Sequence, residues 1–505
     1  MNKTRRIALH VFVDWMAAVI SWLGLFFFRK NYIEASKHGY EIPINHDDNL
    51  WLGLILVPLF WIVLYSVSGY YNYIFRRSRL KELQHSFNAS VLGVLFLFFT
   101  LILDDSISDY RDYYLSVAIL FGFHFSATLF FRLAVVTKTI HNVKNRIWGY
   151  NTLIVGCGER ALNLYQELNS AKQSEGFFIK GFVKIEDDCA LKEVGARIIG
   201  NWSDLPALIQ ENQVEDIILC TESGENEKIT AIIDCVQNEN IHLKIMPDQY
   251  SLVLGMVKMN NILGTMLVEV DFEVMPTWQK VLKRMIDIVA SGLALILLSP
   301  IFLILAILVK LDSKGPVFFV QPRIGLKGKL FNIIKFRSMR TDAESNGPQL
   351  SHDLDDRRTR IGVFLRQSRL DELPQFFNVF KGQMSLVGPR PEREFFKDQI
   401  VAQAPIYQRL QRIKPGITSW GQIKYGYASN VEEMIDRMKY DILYLENMSL
   451  GLDFKIMLYT VLIMVQGCVN LFKVYTWNKT KRYLPRPFHW FGIGSSKRKR
   501  TSNSS

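Results

Sequence analysis

Long apolar runs fill the first quarter of the chain, and alternating apolar and polar residues replace them afterwards. Four runs lie near 7–28, 50–69, 87–103 and 113–136. Each approaches or exceeds the roughly 17–20 residues needed to cross a bilayer core. They predict a four-helix transmembrane domain over 1–148. Asp14 interrupts the first run and His124 the last; polar groups at such depth face other helices rather than lipid. The first run is too long for a removable signal peptide and lacks its small-residue cleavage site. Lys3, Arg5 and Arg6 precede it, Arg76, Arg77, Arg79 and Lys81 separate the second and third runs, and Lys138, Lys144 and Arg146 follow the fourth. The loop between runs three and four has one basic residue, so the positive-inside rule puts both ends of the bundle in the cytoplasm. With no ionisable cluster of the kind a transport path needs, the bundle reads as an anchor.

From Asn151 short apolar stretches alternate with helix-compatible polar ones. Thr152–Val155, GFFIKGFV, ARIIG, VEDIILC and HLKIMP read as strands, and strands alternating with helices imply a parallel α/β sheet. Gly156-x-Gly158-x-x-Ala161, between the first strand and a helix from about Glu159, has the outline of a dinucleotide fingerprint. No acidic residue ends the second strand; Lys184 stands there, with Glu186 to Asp188 beyond. The reading is a Rossmann-like cytoplasmic domain over 149–250, regulatory or for assembly and without a bound cofactor, followed by a linker over 251–279.

A fifth apolar run, 285–309, has Lys280, Lys283 and Arg284 before it and Lys310 and Lys314 after it, with Ser299-Pro300 near its centre. Proline removes a helical hydrogen bond and clashes with the preceding turn, so the helix breaks there. Basic residues at both ends predict a re-entrant helix that returns to the cytoplasmic side. The alternative, a kinked span, would put the rest of the chain outside the cell.

The net charge of +12 favours an anionic partner, and it is concentrated. Residues 310–340 hold eight Lys or Arg against Asp312 alone. Strand-like Val317–Val320 and Phe331–Ile334 and glycine turns separate the basic residues, which suits a folded anion pocket better than a tail that adheres to anionic lipid. Histidine is sparse, without an HExxH or Cys/His cluster, so nothing indicates zinc. Asp371 and Glu372 lie just before Pro374, which fits only the first turn of a helix. Both acids therefore sit at the positive end of a helix, with Arg366 and Arg369 close by and Gly388-Pro389-Arg390-Pro391 downstream. An ionised aspartate can attack phosphorus as a covalent nucleophile, and the neighbouring glutamate can hold Mg2+.

KFRSM, TRIGVFLR, LDELPQFFNVFKGQMSLVGPRPE, KPGIT and LDFKIMLYTV, in that order over about 280–475, closely resemble the bacterial polyprenyl-phosphate hexose-1-phosphate transferases. These are monotopic phosphoglycosyl transferases that begin exopolysaccharide, capsule or O-antigen assembly. The whole layout is similar to the large members of that family: a transmembrane bundle, a Rossmann-like domain, and a C-terminal α/β catalytic domain with a Ser-Pro-broken membrane helix. The resemblance implies transfer of sugar-1-phosphate from a UDP-sugar to undecaprenyl phosphate at the inner membrane, with release of UMP. It further implies a phosphosugar–aspartate intermediate, Mg2+ and a homodimer. By motif, Asp371 is the expected nucleophile and Glu372 the metal ligand. Lys335, Arg337, Arg366, Pro389, Arg390, Pro391, Asp441 and Asp453 are the expected substrate-binding positions, and Ser299 and Pro300 the helix break. Gly416-Ile417-Thr418-Ser419-Trp420-Gly421-Gln422 departs from the GITGWAQV frequent in the family and bears on the sugar and acceptor contacts.

The last apolar run, Ile456–Val465, is ten residues long and reads as an interfacial or buried helix; 476–505 reads as a basic tail. A nucleotide-sugar dehydratase would need a second glycine fingerprint and a YxxxK pair, and Tyr440 has no such lysine. An inverting membrane glycosyltransferase, which would release UDP, and a non-catalytic scaffold are the open alternatives. Nucleic-acid binding is disfavoured, because the basic block follows directly on a membrane helix.

Overall fold

The computed structural model describes residues 3–35, 48–72, 78–102, 110–171, 173–185, 197–221, 226–236, 241–247, 265–270, 274–343, 347, 355–426, 428 and 430–478. Arg76, Arg77, Glu186 to Asp188, most of the linker and the tail beyond Asn478 lie outside the described residues.

Four helices long and apolar enough to cross a membrane form the N-terminal bundle: α1 (Lys3–Phe28), α2 (Asp48–Val67), α3 (Arg79–Leu97) and α4 (Tyr110–Lys144). Aromatic rings fill its centre, with Trp61, Tyr65 and Tyr70 fully buried. Gly93 is required there, since a Cβ would run into the Trp61 ring.

The bundle also encloses a cluster of charges, which the apolar runs did not announce. Arg132 of α4 is fully buried; its Nε donates to Asp14 Oδ1 of α1 at 2.7 Å, and one terminal nitrogen lies 3.5 Å from Glu82 Oε1 and 3.3 Å from Ser86 Oγ of α3. The guanidinium lies over the rings of both Tyr65 and Tyr70, 4.0 and 3.7 Å from their centroids. Tyr71 donates to the other oxygen of Asp14 at 2.8 Å. Tyr65 and His124 share a hydrogen bond of 2.8 Å. Asp14 and Arg132 are 118 positions apart, so no single apolar run reveals the cluster.

The middle of the chain folds as a six-stranded sheet built from β1 (Tyr150–Val155), α5 (Glu159–Ser170), β2 (Phe177–Lys184), β3 (Ile198–Asn201), α6 (Leu205–Glu211), β4 (Asp216–Leu219), α7 (Asn226–Val236), β5 (His242–Ile245) and β6 (Val268–Val270). The order is β3-β2-β1-β4-β5-β6, parallel except for β6. Side chains alternate between two cores. Leu153, Val155, Ile217 and Leu219 pack on one face, and Ile154 and Ile218 pack with Ala161 and Leu164 of α5 on the other. Burial on both faces explains why these strands read as continuous apolar runs. β6 lies within the stretch expected to be linker; its three residues are too few to stand out, and pairing with β5 makes them a strand.

The third part begins with α8 (Thr277–Leu297) and α9 (Ser299–Asp312), bent by 61° at Leu298. Ser299 Oγ donates to Ile296 O at 2.7 Å at the break, and Pro300 occupies the first turn of α9. Ile296, Leu297, Leu303 and Leu311 are strongly exposed. There follow the antiparallel hairpin β7 (Phe318–Ile324) and β8 (Leu330–Phe336), α10 (Arg360–Gln367), α11 (Gln375–Lys381), β9 (Ser385–Val387), α12 (Glu394–Gln403), β10 (Gly416–Thr418) parallel to β9, α13 (Trp420–Lys424), α14 (Val431–Glu446) and α15 (Leu450–Asn478). At 29 residues α15 far exceeds the ten-residue apolar run expected there, because polar residues such as Asp453 and Gln466 continue the helix on either side of it.

The charge cluster yields a stability prediction. Arg132→Leu leaves Asp14 and Glu82 buried without their cation and should cost about 3–5 kcal/mol. The triple change Asp14→Leu, Glu82→Leu, Arg132→Leu should recover most of that loss. Thermal unfolding in detergent measures both.

Candidate active site

Asp371 and Glu372 lie in the 3-10 turn Leu370–Glu372, just ahead of α11, whose N-cap is Pro374. The chain enters this turn from α10 through Arg369, which adopts a left-handed backbone (φ 59) that non-glycine residues rarely take. That reversal brings the Arg369 guanidinium within 3.6 Å of Glu372 Oε2. Lys335, near the end of β8, reaches Glu372 Oε1 at 2.8 Å, and Arg390 lies 3.8 Å from the same oxygen. Asn378 stitches α11 to β8 and so fixes this register. Its Oδ1 accepts from the Ile334 amide at 3.1 Å, and its Nδ2 donates to Asn332 O at 2.7 Å.

The two carboxyls are shifted in opposite directions although both are buried. Burial opposes the charge on Glu372, but Lys335, Arg369 and Arg390 outweigh it and hold its carboxyl well below the usual range. For Asp371, burial and then the Glu372 charge push the carboxyl up to about 6, against the pull of Lys335, Arg366 and Arg369. Asp371 Oδ1 is buried with no hydrogen-bond partner among the described residues. One carboxylate is ringed by cations, and the other keeps an oxygen without a partner among the described residues. Burial lowers the ammonium of Lys335 from its ordinary value.

A small cleft, partly open to solvent, lies beside Glu372 and is lined by Arg323, Lys335, Glu372, Gln375, Arg390 and Pro391 among others. The Gly388-to-Pro391 turn is fixed by its backbone: Gly388 N donates to Thr418 O at 3.1 Å and Gly416 N to Pro389 O at 2.9 Å. Arg323 donates to Pro391 O at 3.2 Å. Arg366 donates to Ser338 Oγ at 3.0 Å and acts on Asp371 through its charge. The cationic side chains around the two carboxylates outnumber them, which suits a polyanionic ligand.

Three expected substrate-binding residues stand elsewhere. Arg337 is buried, and its guanidinium donates to Ser313 O at 2.7 Å, Ser313 Oγ at 2.9 Å and Lys314 O at 3.0 Å. It thus caps the C-terminal end of α9. Asp441, on α14, accepts from the Gly421 amide at 2.9 Å and bonds the Ser419 hydroxyl and the Arg390 amide. It braces the arginine turn from behind, and its burial pushes the carboxyl up to about 6. Asp453 accepts from Lys283 at 2.5 Å and from the Tyr444 hydroxyl at 2.6 Å, joining α15, α8 and α14. Gln375 is a lining residue that the motifs did not mark; it is buried, and its Nε2 has no partner among the described residues. Its place on the first turn after Pro374 was the available signal.

The bacterial sugar transferase family matches residues 278–467, the part of the chain that carries this site. The chain is 42% identical over 183 residues to a protein of Caulobacter vibrioides named UDP-glucose:undecaprenyl-phosphate glucose-1-phosphate transferase, covering 35% of this chain and 68% of that one. The chain belongs to the bacterial sugar transferase family. A second similar sugar transferase is the UDP-N-acetylgalactosamine-undecaprenyl-phosphate N-acetylgalactosaminephosphotransferase of Aeromonas hydrophila, 44% identical over 186 residues, 37% of this chain and 44% of that protein. An uncharacterized sugar transferase of Haemophilus influenzae is 29% identical over 475 residues, 89% of this chain and 95% of its own. The chain spans about half the length of several relatives, 44% of the Aeromonas protein and 58% of those from Klebsiella pneumoniae and Escherichia coli. A CoA-binding domain family matches 66–247.

The opposed shifts of the two carboxyls can be tested on this family member at rest. A folded-state pKa raised above the unfolded one destabilises the protein as pH rises through that interval. Asp371→Asn should therefore raise the melting temperature at pH 7.5, and the gain should fade as pH falls from 6 towards 4. Glu372→Gln should lower the melting temperature over the same range, since it strands Lys335, Arg369 and Arg390. Calorimetry of the purified variants checks both signs.

Proposed function

We propose that this protein transfers a sugar-1-phosphate from a UDP-sugar to undecaprenyl phosphate, releasing UMP, as the first membrane step of exopolysaccharide, capsule or O-antigen assembly. The observation that carries the reading is the unpartnered Oδ1 of buried Asp371 beside a Glu372 already neutralised by three cations. A hexose or N-acetylhexosamine donor fits; the names of the relatives include both glucose and N-acetylgalactosamine.

In the first half-reaction an Asp371 oxygen attacks the sugar-bearing phosphorus of the diphosphate. The bridging P–O bond breaks, UMP departs with its electron pair, and a phosphosugar–aspartate ester remains. In the second, a phosphate oxygen of undecaprenyl phosphate attacks the same phosphorus and restores the carboxylate. Lys335, Arg366, Arg369 and Arg390 offset the charge that builds on the phosphoryl oxygens, and such positioning and charge stabilisation dominate phosphoryl transfer. Glu372 would hold Mg2+ through its hard carboxylate oxygens, with the coordination completed by substrate phosphates. When bound there, Mg2+ supplies further neutralisation of the diphosphate.

The reading places the site on the cytoplasmic face of the inner membrane, where UDP-sugars are made. The 61° bend at Leu298 and the basic residues at both ends of the α8–α9 pair support re-entry into one leaflet. Their exposed apolar side chains suit contact with lipid. The middle domain is Rossmann-like in this reading, supported by its strand order, which runs outward from β1 in both directions.

Purified protein with Mg2+, undecaprenyl phosphate and a panel of UDP-sugars should release UMP with one donor, and Asp371→Asn should abolish it. Release of UDP instead would mean a glycosyltransferase. The UMP-forming rate should fall about tenfold per pH unit below pH 6, as Asp371 gains its proton. Pro300→Ala should straighten the hairpin and change the cysteine-accessibility pattern of α9; an unchanged pattern would count against re-entry.

A further inference from the structure

Two pieces of backbone must keep a fixed separation for this site to work: the turn carrying Asp371 and Glu372, and the turn carrying Arg390. Both are gripped from one place. On α8, Arg284 donates to Val379 O at 2.7 Å and Phe380 O at 2.9 Å, capping the last turn of α11. The same short helix begins just after the two acids. Gly382, with φ +84, ends it, and a Cβ there would lie 3.0 Å from the Arg284 guanidinium. On the adjoining face of α8, Lys283 Nζ donates to Val387 O at 2.9 Å and Asp287 Oδ1 accepts from the Leu386 amide at 3.0 Å. Leu386 and Val387 end β9 and lead directly into Gly388-Pro389-Arg390.

We propose that Lys283, Arg284 and Asp287 are positioning residues, by which the broken membrane helix sets the distance between the nucleophile turn and the Arg390 turn. The proposal rests on the phosphoryl-transfer reading above. Basic residues beside an apolar helix are ordinarily explained by snorkelling to the membrane surface. That explanation does not cover Asp287, an acid only 3% exposed on the same helix. Nor does it cover Lys283, whose ammonium is held by Asp453 at 2.5 Å and aimed at a backbone carbonyl. Lys283 and Asp287 are one helical turn apart and grip an acceptor and a donor on consecutive residues of β9, so the strand can neither slide nor twist relative to α8.

The test uses full-length Asp287→Ala, Asp287→Asn and Lys283→Met beside wild type, with hydrogen exchange over 385–391 and kcat and KM for the UDP-sugar. Asp287→Ala and Lys283→Met should speed exchange in that segment and lower kcat by ~10²-fold, the scale expected for a misplacement of about 1 Å, with KM moving far less. Asp287→Asn keeps an oxygen that can accept from the Leu386 amide and should restore most of both. Wild-type kcat and exchange in Asp287→Ala would overturn the proposal. So would loosening throughout the domain to the same extent in the Ala and Asn variants, which would mark a purely structural role. If wild type released no UMP, the transfer reading would fail and the positioning role with it. Local exchange would then decide only whether α8 grips β9 at all.

Discussion

Glu372 stays ionised inside the protein because Lys335, Arg369 and Arg390 surround it, and each comes from a different piece of chain. A buried carboxylate without such partners would take up a proton or unfold its surroundings. The β7–β8 hairpin brings the lysine, the left-handed turn after α10 brings the first arginine, and the loop after β9 brings the second. Satisfying one charge therefore joins three elements, the first two of which also share an apolar cluster of Phe336, Ile361, Leu365, Leu370 and Leu373. The Glu372 charge in turn raises the Asp371 carboxyl, so the same cluster that stabilises the domain makes its neighbour costly to ionise. Much of the rest of the third domain acts as support: Asn378, Arg337, Asp441 and Asp453 hold backbone in place around the carboxylate pair.

Much of this architecture was legible in the sequence, for different reasons in different parts. Apolar runs and alternating strands announce themselves because burial acts on neighbouring residues, and so the four long helices and β1 to β5 follow from local pattern. The acid pair and its arginines were legible because a proline and a glycine-proline turn mark them. Support residues left no such trace. Arg337 sits in a basic motif two residues after Lys335, but it lies past the end of β8, where the chain leaves the strand and the guanidinium caps α9. Asp441 and Asp453 resemble ligand carboxylates by motif, whereas their partners, Gly421 and Lys283, are 20 and 170 positions away. Long-range polar pairing has no periodicity, and for that reason β6 and the charge cluster in the bundle also went unseen.

The chain divides its polar chemistry between two buried sites of opposite design. Around Glu372 cations outnumber the carboxylates, an arrangement that invites an anion. In the bundle one guanidinium meets two acids and two aromatic faces, an arrangement closed on itself. The first is open along a cleft and the second is sealed between helices. Burying charges that a hydrophobic core could replace at no loss of stability argues that the sealed cluster fixes which helix faces meet, a specificity role better attested than a stabilising one.

That sealed cluster also constrains how the protein is made. Asp14 is synthesised early, and its guanidinium follows 118 residues later. At ordinary rates of synthesis that gap lasts about ten seconds. Throughout it the first helix carries a carboxyl that hydrocarbon disfavours. Helix α1 therefore sits in lipid at a cost until its partner arrives. Docking of α4 relieves that cost, and a nascent chain interrupted before α4 would present an unmatched acid to any machinery that inspects unfinished membrane proteins.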